Sequence, residues 1–211
     1  MDLASASVFL DFDGTMTVVD SGVHLLERLG DGTSWVAIDE LYGAGAIGSR
    51  ECLEREWDLL PHDEAVLRDA VEEVALDPDA ERLIADLQHG GAEVVVVSDG
   101  FGFYAEEVCA RLGVPVLTNA VDWTTGALEF PNLDRCCPCS SCGTCKQAPI
   151  KDARRRGRTT VFVGDGVSDR KAALLADVLF AKGRLAEWCE MSRIEYVEFD
   201  TLADVHSALC R

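Results

Sequence analysis

Two aspartates one residue apart, Asp11 and Asp13, follow a short apolar run at residues 8–10 and precede Gly14. Alternate residues of a strand share a face, so both carboxylates should leave the sheet on the same side. Two carboxylates held this close repel each other unless a cation lies between them. Hard oxygen ligands suit Mg²⁺, and the pair therefore indicates a magnesium site at the end of a strand.

Polar residues also follow two other strand-like runs, at residues 93–97 and 159–163. They are Ser98, Asp99 and Gly100 after the first run, and Asp165 and Asp169 after the second. In an open α/β sheet, ligands bind where the carboxyl ends of the strands meet. The three strand ends therefore predict one polar rim that can hold a metal ion together with an anionic ligand.

The order of apolar and helical patterns predicts an α/β fold, a Rossmann-like doubly wound parallel sheet with an inserted helical cap domain. Unbroken apolar runs such as residues 94–97 are typical of strands that are buried on both faces. Residues 18–76 depart from the alternation and predict helices separated by glycine and proline breaks. We therefore expect a core at 1–17 and 77–211 and a cap at 18–76, with a hairpin and cysteine-rich loop at 124–146.

Strands and helices of the core alternate along the chain. The predicted strands are residues 8–10, 93–97, 114–117, 159–163, 178–180 and 196–199. The predicted helices of the core are residues 78–88, 101–112, 148–156, 168–176, 185–192 and 202–209, and those of the cap are 21–29, 34–42, 49–59 and 63–74. A Thr-Gly pair at 125–126 predicts a hairpin turn.

The charge of the chain limits its partners. The 38 acidic residues outnumber the 19 basic ones, which gives a formal net charge of −19. Nucleic acid and anionic membranes both need a positive surface, so neither is an expected partner. No apolar run approaches the roughly 18–20 residues of a membrane helix, and residues 1–7 lack the basic region of a signal peptide. We therefore expect a cytoplasmic protein that binds a small molecule.

The motifs together resemble the haloacid dehalogenase-type phosphatases. The resemblance rests on Asp-x-Asp-Gly-Thr-x-Thr at 11–17, a strand-ending serine at 98, a lysine before the fourth strand, and Gly-Asp-Gly-x-Ser-Asp at 164–169. The helical insertion is similar to the cap of the phosphoserine phosphatase-like branch. The run Cys-Gly-Thr-Cys-Lys at 142–146 resembles the 2-hydroxy-3-keto-5-methylthiopentenyl-1-phosphate phosphatases of methionine salvage.

The resemblance implies a role for each motif. Asp11 would be the nucleophile that forms an aspartyl-phosphate, and Asp13 would protonate the leaving alcohol and then activate water. The implied magnesium ligands are Asp11, Asp13 through its backbone carbonyl and Asp165, with Asp169 supporting the metal from nearby or through water. Ser98 would bind the phosphoryl oxygens, helped by N–H groups of the turns at 13–15 and 99–100, which makes Asp99 and Gly100 substrate-binding residues.

Phosphoryl transfer in such an enzyme also requires a cationic side chain. The chain has four lysines, Lys146, Lys151, Lys171 and Lys182. Lys146 precedes the fourth strand and follows the cysteines as in the methionine-salvage phosphatases, so it is the predicted catalytic and phosphate-binding lysine. Lys151, about one helical turn later, is the alternative.

Substrate choice is expected in the cap, because the core handles only the phosphoryl group. Asp20 lies nine residues after Asp11, where phosphoserine phosphatases carry an acidic residue that faces the substrate amine. The alternative is that Asp20 only caps the helix that begins at Ser21.

Five of the nine cysteines lie within residues 136–145. Four of them recur at every third position: Cys136, Cys139, Cys142 and Cys145. Such a run predicts a structural Zn²⁺ site, with unbound or reversibly paired thiols and an iron–sulfur cluster as alternatives. It would hold the loop that delivers Lys146.

The sequence therefore predicts a Mg²⁺-dependent phosphatase that hydrolyses a small phosphorylated metabolite, with the methionine-salvage phosphatase as the leading candidate. The alternatives within the class are a phosphoserine phosphatase and a phosphocholine or phosphoethanolamine phosphatase. A phosphotransferase or phosphomutase would use the same core. A non-catalytic sensor of a phosphorylated ligand is the alternative from a different class.

Overall fold

A six-stranded parallel sheet lies at the centre of the protein, whose computed structural model describes residues 1–133 and 141–210. The strands are β1 (Ala6–Leu10), β2 (Glu93–Val97), β3 (Val116–Leu117), β4 (Ala120–Asp122), β5 (Ala127–Glu129), β6 (Thr159–Gly164), β7 (Val178–Ala181) and β8 (Val197–Glu198). The order in the sheet is β3-β2-β1-β6-β7-β8, and β4 pairs with β5 in a separate antiparallel hairpin. This topology confirms the predicted α/β fold.

The described residues include ten α-helices. They are α1 (Ser21–Leu29), α2 (Ser34–Gly43), α3 (Ser49–Trp57), α4 (Glu64–Val71), α5 (Ala80–His89), α6 (Phe103–Leu112), α7 (Gln147–Arg155), α8 (Arg170–Ala173), α9 (Gly183–Ser192) and α10 (Leu202–Leu209). Leu10 of β1 packs in the core formed with α5, α6 and α10, whereas its neighbour Phe9 packs with α7, α8 and α9. Within the described residues, no helix is long and apolar enough to cross a membrane.

Helices α1 to α4 lie between β1 and α5 in the sequence, and we call them the helical insertion. They share an apolar cluster that includes Leu25, Trp57 and Leu67, to which the core contributes Phe101. The indole N–H of Trp57 donates to the carbonyl of Gly126 at 2.8 Å. The insertion therefore packs against the β4–β5 hairpin, whose turn lies where the Thr-Gly pair predicts it.

The chain enters and leaves the helical insertion at one place. Thr17 and Leu76 form an isolated antiparallel bridge. Beside it, the N–H of Asp77 donates to the carbonyl of Met16 at 2.8 Å. The insertion is thus joined to the sheet by two adjacent segments that follow β1 and precede α5.

The third strand is shorter than its apolar pattern predicts. Residues 114–117 predict a strand, whereas β3 covers only Val116–Leu117. The N–H of Val114 donates to the carbonyl of Cys109 at 3.0 Å and so closes the end of α6. Pro115 has no N–H to donate to the sheet, and the strand begins after it.

The helix after β6 is also shorter than predicted. Residues 168–176 predict a helix, whereas α8 covers only Arg170–Ala173. The carboxylate of Asp169 accepts hydrogen bonds from the N–H groups of Asp165 at 3.0 Å and Gly166 at 2.9 Å. The residues before α8 therefore form a loop that folds around the Asp169 side chain instead of a first helical turn.

Candidate active site

Asp11 directly follows β1, near the middle of the sheet. Its N–H donates to the carbonyl of Val163 on β6 at 2.9 Å, which extends the pairing of the two strands by one residue. Asp11 is only 4% exposed and lines a cavity of about 300 Å³. Asp13 and Asp165 line the same cavity, so the ends of β1 and β6 meet there as the strand pattern predicts.

Lys146 reaches the carboxylate of Asp11 from the residue that precedes α7. Its Nζ donates to Asp11 Oδ1 at 2.5 Å and to Asp169 Oδ1 at 2.7 Å. Burial alone would lower the pKa of Lys146, but the two carboxylates outweigh it and raise the pKa well above its usual value. Lys151, the alternative lysine, lies within α7 and does not line the cavity.

Asp11, Asp165 and Asp169 form a group that could hold a metal ion. Each offers an oxygen atom, and the three atoms lie within 4.8 Å of one another. Burial, followed by the charge of Asp169, raises the pKa of Asp11 well above its usual value and that of Asp165 to about 6. Three carboxylates face one ammonium group here, and a divalent cation would neutralise the remaining negative charge.

The turn after β1 brings Asp165 close to Asp11. Gly14 has a φ of +72°, and a Cβ on it would lie 2.4 Å from Asp165 Oδ2. Thr15 Oγ1 donates to Asp165 Oδ1 at 3.0 Å. The N–H of Gly14 donates to Thr17 Oγ1 at 3.0 Å, and the N–H of Thr15 donates to the carbonyl of Phe12 at 3.3 Å. Two of the N–H groups implied as phosphoryl ligands thus already have acceptors within the loop.

Asp13 is held between the end of β2 and the start of α1. Its Oδ1 accepts hydrogen bonds from the hydroxyl and the N–H of Ser21, and its Oδ2 accepts one from Ser98 Oγ at 3.3 Å. Ser98 is fully buried, and its Oγ also accepts the N–H of Gly100 at 3.1 Å. The hydroxyl of Ser98 therefore contacts Asp13 and does not line the cavity, although the resemblance implies that it binds the phosphoryl group. The carboxylate of Asp13 is not part of the group of three.

Asp20 caps a helix and also lines the cavity, so its position is compatible with a contact to substrate. Its side chain accepts the N–H of Val23 at 2.9 Å in the first turn of α1. The carboxylate also lines the cavity. Desolvation at the cavity wall, followed by the negative charge of Asp13, raises the pKa of Asp20 to about 7.

One face of α3 supplies a cavity wall that the motifs did not reveal. The residues are Ser49, Cys52, Leu53 and Glu56. Their spacing of three, four and seven residues is that of one helical face, which is the signal that could have identified them. Burial raises the pKa of Glu56 to about 8, with a contribution from the negative charge of Asp20.

An ion pair links the core to the helical insertion at the cavity. Arg184 of α9 donates to both carboxylate oxygens of Asp39 on α2 at 3.0 Å. Both residues line the cavity, as does Tyr42 one helical turn after Asp39. No sequence motif marks these three residues, because only the packing of α2 against the core places them here.

The described part of the cysteine run does not support zinc. The one group of potential metal ligands found in residues 1–133 and 141–210 consists of aspartates and contains no cysteine. Cys145 is buried, and Cys142 Sγ lies 3.3 Å from Lys171 Nζ. Cys136 and Cys139, the other two predicted zinc ligands, lie outside the described residues.

The carboxylates of Asp11 and Asp165 follow two parallel strands, at the edge where open α/β sheets bind ligands, and Lys146 meets Asp11 there. A model of the haloacid dehalogenase-like hydrolases matches residues 8–174, which include the ends of β1, β2 and β6. The chain belongs to this family.

Two relatives indicate which kind of hydrolase this chain is. A protein from Exiguobacterium sp., named 2-hydroxy-3-keto-5-methylthiopentenyl-1-phosphate phosphatase, is 27% identical over 207 residues, which cover 95% of each chain. A protein of the same name from Brevibacillus brevis is 26% identical over 206 residues, which cover 94% of this chain and 92% of that one. Like them, this chain is a phosphatase, a phosphoric monoester hydrolase.

Two solved structures share the fold. A phospho-aspartyl intermediate analogue of phosphoserine phosphatase superposes with a TM-score of 0.75 at 21% identity, covering 97% of this chain and 98% of that one. A substrate-bound complex of phosphoserine phosphatase gives a TM-score of 0.74 at 21% identity, covering 97% of each chain.

Proposed function

We propose that this phosphatase hydrolyses the phosphate monoester of a small metabolite with Mg²⁺ and with a covalent aspartyl-phosphate on Asp11. One observation carries the proposal: Lys146 Nζ contacts both Asp11 and Asp169, which are buried, in a cluster that also includes the half-buried Asp165. The cluster combines a carboxylate nucleophile, a fixed cation and oxygen ligands for a metal. Phosphoryl transfer depends mainly on such positioning and charge neutralisation.

Asp11 attacks phosphorus in the first half of the proposed reaction. Lys146 holds one carboxylate oxygen of Asp11 and thereby orients the other oxygen for attack. As the new bond from oxygen to phosphorus forms, the ester bond breaks, and the leaving alkoxide takes a proton from Asp13. Hydrogen bonds from Ser21 and Ser98 hold the Asp13 carboxyl group beside the cavity for this transfer.

Water completes the reaction in the second half. Asp13, now ionised, accepts a proton from water while the water oxygen attacks phosphorus. The bond from Asp11 to phosphorus breaks, inorganic phosphate leaves, and both carboxyl groups return to their initial states. The covalent intermediate divides one difficult displacement into two easier ones.

Mg²⁺ fits the carboxylates of Asp11, Asp165 and Asp169, because they are hard oxygen ligands within reach of one ion. We propose that the backbone carbonyl of Asp13 completes the ligands that the protein provides. When bound, Mg²⁺ neutralises negative charge on the carboxylates and on the phosphoryl oxygens.

Addition of Mg²⁺ is expected to raise the melting temperature of the protein. At about 100 times its dissociation constant, a ligand that binds only the folded state adds about 2.7 kcal/mol of stability. For a chain of this size, that corresponds to about 5–10 °C. Thermal unfolding followed by circular dichroism, with Mg²⁺ and with excess chelator, measures the shift.

Asp165→Asn is the informative variant in this titration. It removes one proposed ligand and one repelling charge, so we expect a smaller Mg²⁺ shift and no loss of stability in chelator. Asp69→Asn, on the exposed face of α4, is the matched control and should keep the full shift. An equal shift in wild type and Asp165→Asn would contradict the metal assignment.

We further propose that the helical insertion is a cap that selects the leaving group, with the core at 1–17 and 77–211 performing the transfer. The insertion supplies Asp20, Tyr42, Leu53 and Glu56 to the cavity. These residues lie on α1, α2 and α3 or at their starts, whereas the proposed nucleophile and metal ligands belong to the core.

The methionine-salvage ester is the substrate that we favour. The two relatives with that assigned name align over nearly the whole chain. The cavity wall includes Val23, Leu53 and Phe101, which suit an apolar part of a leaving group. Among the described lining residues, the two cations, Lys146 and Arg184, are both ion-paired. This arrangement disfavours a leaving group with a carboxylate, such as that of phosphoserine.

A phosphate ester of a cationic alcohol, phosphoethanolamine or phosphocholine, is the second candidate. Asp20 and Glu56 both line the cavity, and the charge of Asp20 contributes to the raised pKa of Glu56. A bound ammonium group would relieve this repulsion.

A panel of esters is expected to separate the candidates by the release of inorganic phosphate with and without Mg²⁺. We expect the highest kcat/KM for 2-hydroxy-3-keto-5-methylthiopentenyl-1-phosphate and the lowest for phosphoserine. Glu56→Gln should lower kcat/KM for a cationic leaving group about tenfold and change the value for a neutral one less. A preference for phosphoserine would contradict the assignment of the cavity, and absence of hydrolysis of every ester would contradict the proposed function.

A further inference from the structure

The carboxylate of Asp99 joins three separate segments of the chain. Asp99 follows Ser98 at the end of β2, and its Oδ2 accepts the hydroxyl of Ser49 at 2.5 Å. Its Oδ1 accepts the N–H of Thr144 at 2.6 Å and the side-chain amide of Asn119 at 3.3 Å. Asp99 therefore binds the start of α3, the residues after β3 and the segment that leads to Lys146.

Two further hydrogen bonds close this network. Ser49 Oγ, which donates to Asp99, also accepts the N–H of Gly143 at 3.2 Å. Thr144 Oγ1 donates to Asn119 Oδ1 at 2.9 Å. Ser49, Thr144 and Asn119 are 6%, 1% and 0% exposed. Ser49 and Asp99 also line the cavity, whereas water has little access to Thr144 and Asn119, so loss of the Asp99 carboxylate would leave their donors unsatisfied.

The segment before Lys146 lies tightly against Asp99. A Cβ on Gly143 would lie 2.5 Å from Asp99 Oδ1, so this position admits only glycine without a local shift. Thr144, bound through both its N–H and its hydroxyl, is two residues before Lys146. Anchoring residues 143 and 144 therefore determines where the Lys146 side chain begins, and its Nζ must reach Asp11.

We propose that Ser49 and Asp99 are positioning residues that act through Lys146. The start of α3 can hold the segment before Lys146 only when the helical insertion is packed against the core. Packing of the insertion and placement of Lys146 therefore occur together. This inference rests on the proposed function, in which Lys146 orients Asp11. It assigns to the helical insertion a part in the transfer step in addition to its contact with the leaving group.

The role of Lys146 predicts a particular kinetic pattern. Lys146 contacts the proposed nucleophile, which is common to every substrate, and not the leaving group. Loss of Ser49 Oγ should therefore lower kcat by the same factor for esters with different leaving groups. A residue that only contacts the leaving group would instead change KM, and by a factor that depends on the ester.

Ser49→Ala, Ser49→Thr and Asp99→Asn, assayed with para-nitrophenyl phosphate and β-naphthyl phosphate, test the proposal. We expect Ser49→Ala to lower kcat about tenfold or more on both esters with KM within about twofold. Ser49→Thr keeps a hydroxyl and should recover most of the loss. Ser49→Ala combined with Asp99→Asn should be no worse than the more impaired single variant, since both act on one segment.

Ser34→Ala is the matched control. Ser34 also begins a helix of the insertion and also donates to an aspartate, Asp31, but it is exposed and does not line the cavity. Its kcat should equal that of wild type. Wild-type kcat in Ser49→Ala, a loss on only one ester, or losses that multiply in the double variant would overturn the inference. If Ser49→Ala does not fold, kcat and KM of Asp99→Asn on the two esters provide the test instead. Failure of wild type to hydrolyse either ester would instead overturn the proposed function.

Discussion

Asp11→Asn is expected to lower kcat by about 10⁴-fold or more, because the amide cannot form the acyl-phosphate bond that Asp11 forms in the proposed reaction. The substitution keeps the size of the side chain and an oxygen that can accept the hydrogen bond from Lys146. Steady-state release of phosphate from para-nitrophenyl phosphate measures the loss. Mass spectrometry after acid quenching of the wild type should find one phosphoryl group on the peptide that contains Asp11.

The phosphate-release assay, repeated over a range of Mg²⁺ concentrations, distinguishes loss of the nucleophile from loss of a metal ligand. Asp165→Asn should regain part of its activity at higher Mg²⁺ concentration, since its proposed role is to hold the ion. Asp11→Asn should not recover at any Mg²⁺ concentration. The assignment of Asp11 as the nucleophile would be contradicted by activity of Asp11→Asn near that of wild type, or by a phosphoryl group on another peptide. Tight binding of phosphate by wild type without hydrolysis of any ester would favour a non-catalytic sensor of a phosphorylated ligand.

Lys146→Met is expected to impair both activity and stability. It leaves the buried carboxylates of Asp11 and Asp169 without their cation. Breaking a buried ion pair by removal of one partner costs about 3–5 kcal/mol, and removal of a fixed donor from a reacting centre lowers kcat about 10²–10³-fold. Urea unfolding in chelator and in Mg²⁺ measures the free energy of unfolding, and the deficit should be smaller in Mg²⁺.

Lys151→Met is the control for this lysine. Lys151 lies on α7, away from the cavity lining, so its replacement should change kcat less than threefold, or roughly 0.6 kcal/mol in activation free energy. A greater loss of activity in Lys151→Met than in Lys146→Met would reverse the choice between the two lysines.

The carboxylates at the strand ends could be predicted from the sequence, because local patterns of apolar residues show where strands end. Asp11 and Asp165 each come after an apolar run, and parallel strands bring their carboxyl ends to one edge. The position of Lys146 did not follow from pattern, because its segment is irregular. Resemblance to a family identified that residue, and the contact with Asp11 supports the choice.

The wall opposite the rim could not be predicted in the same way. Tyr42, Glu56 and Arg184 lie in helices, and periodicity shows which residues share a helical face but not what that face meets. Contacts between particular side chains could not be predicted from the sequence either. Ser98 and Asp13 follow neighbouring strands, yet only the structure shows that the hydroxyl of Ser98 donates to Asp13.

The bridge between Thr17 and Leu76 has a consequence for how such a protein can change. Because the two ends of the helical insertion lie side by side, helices between them can lengthen, shorten or be exchanged without moving β1 or α5. Selection for a new leaving group can therefore act on one continuous stretch of the gene. The proposed nucleophile, lysine and metal ligands lie outside that stretch, whereas Ser49, which is proposed to position Lys146, lies within it. An exchanged α3 would therefore have to retain a hydroxyl at its start.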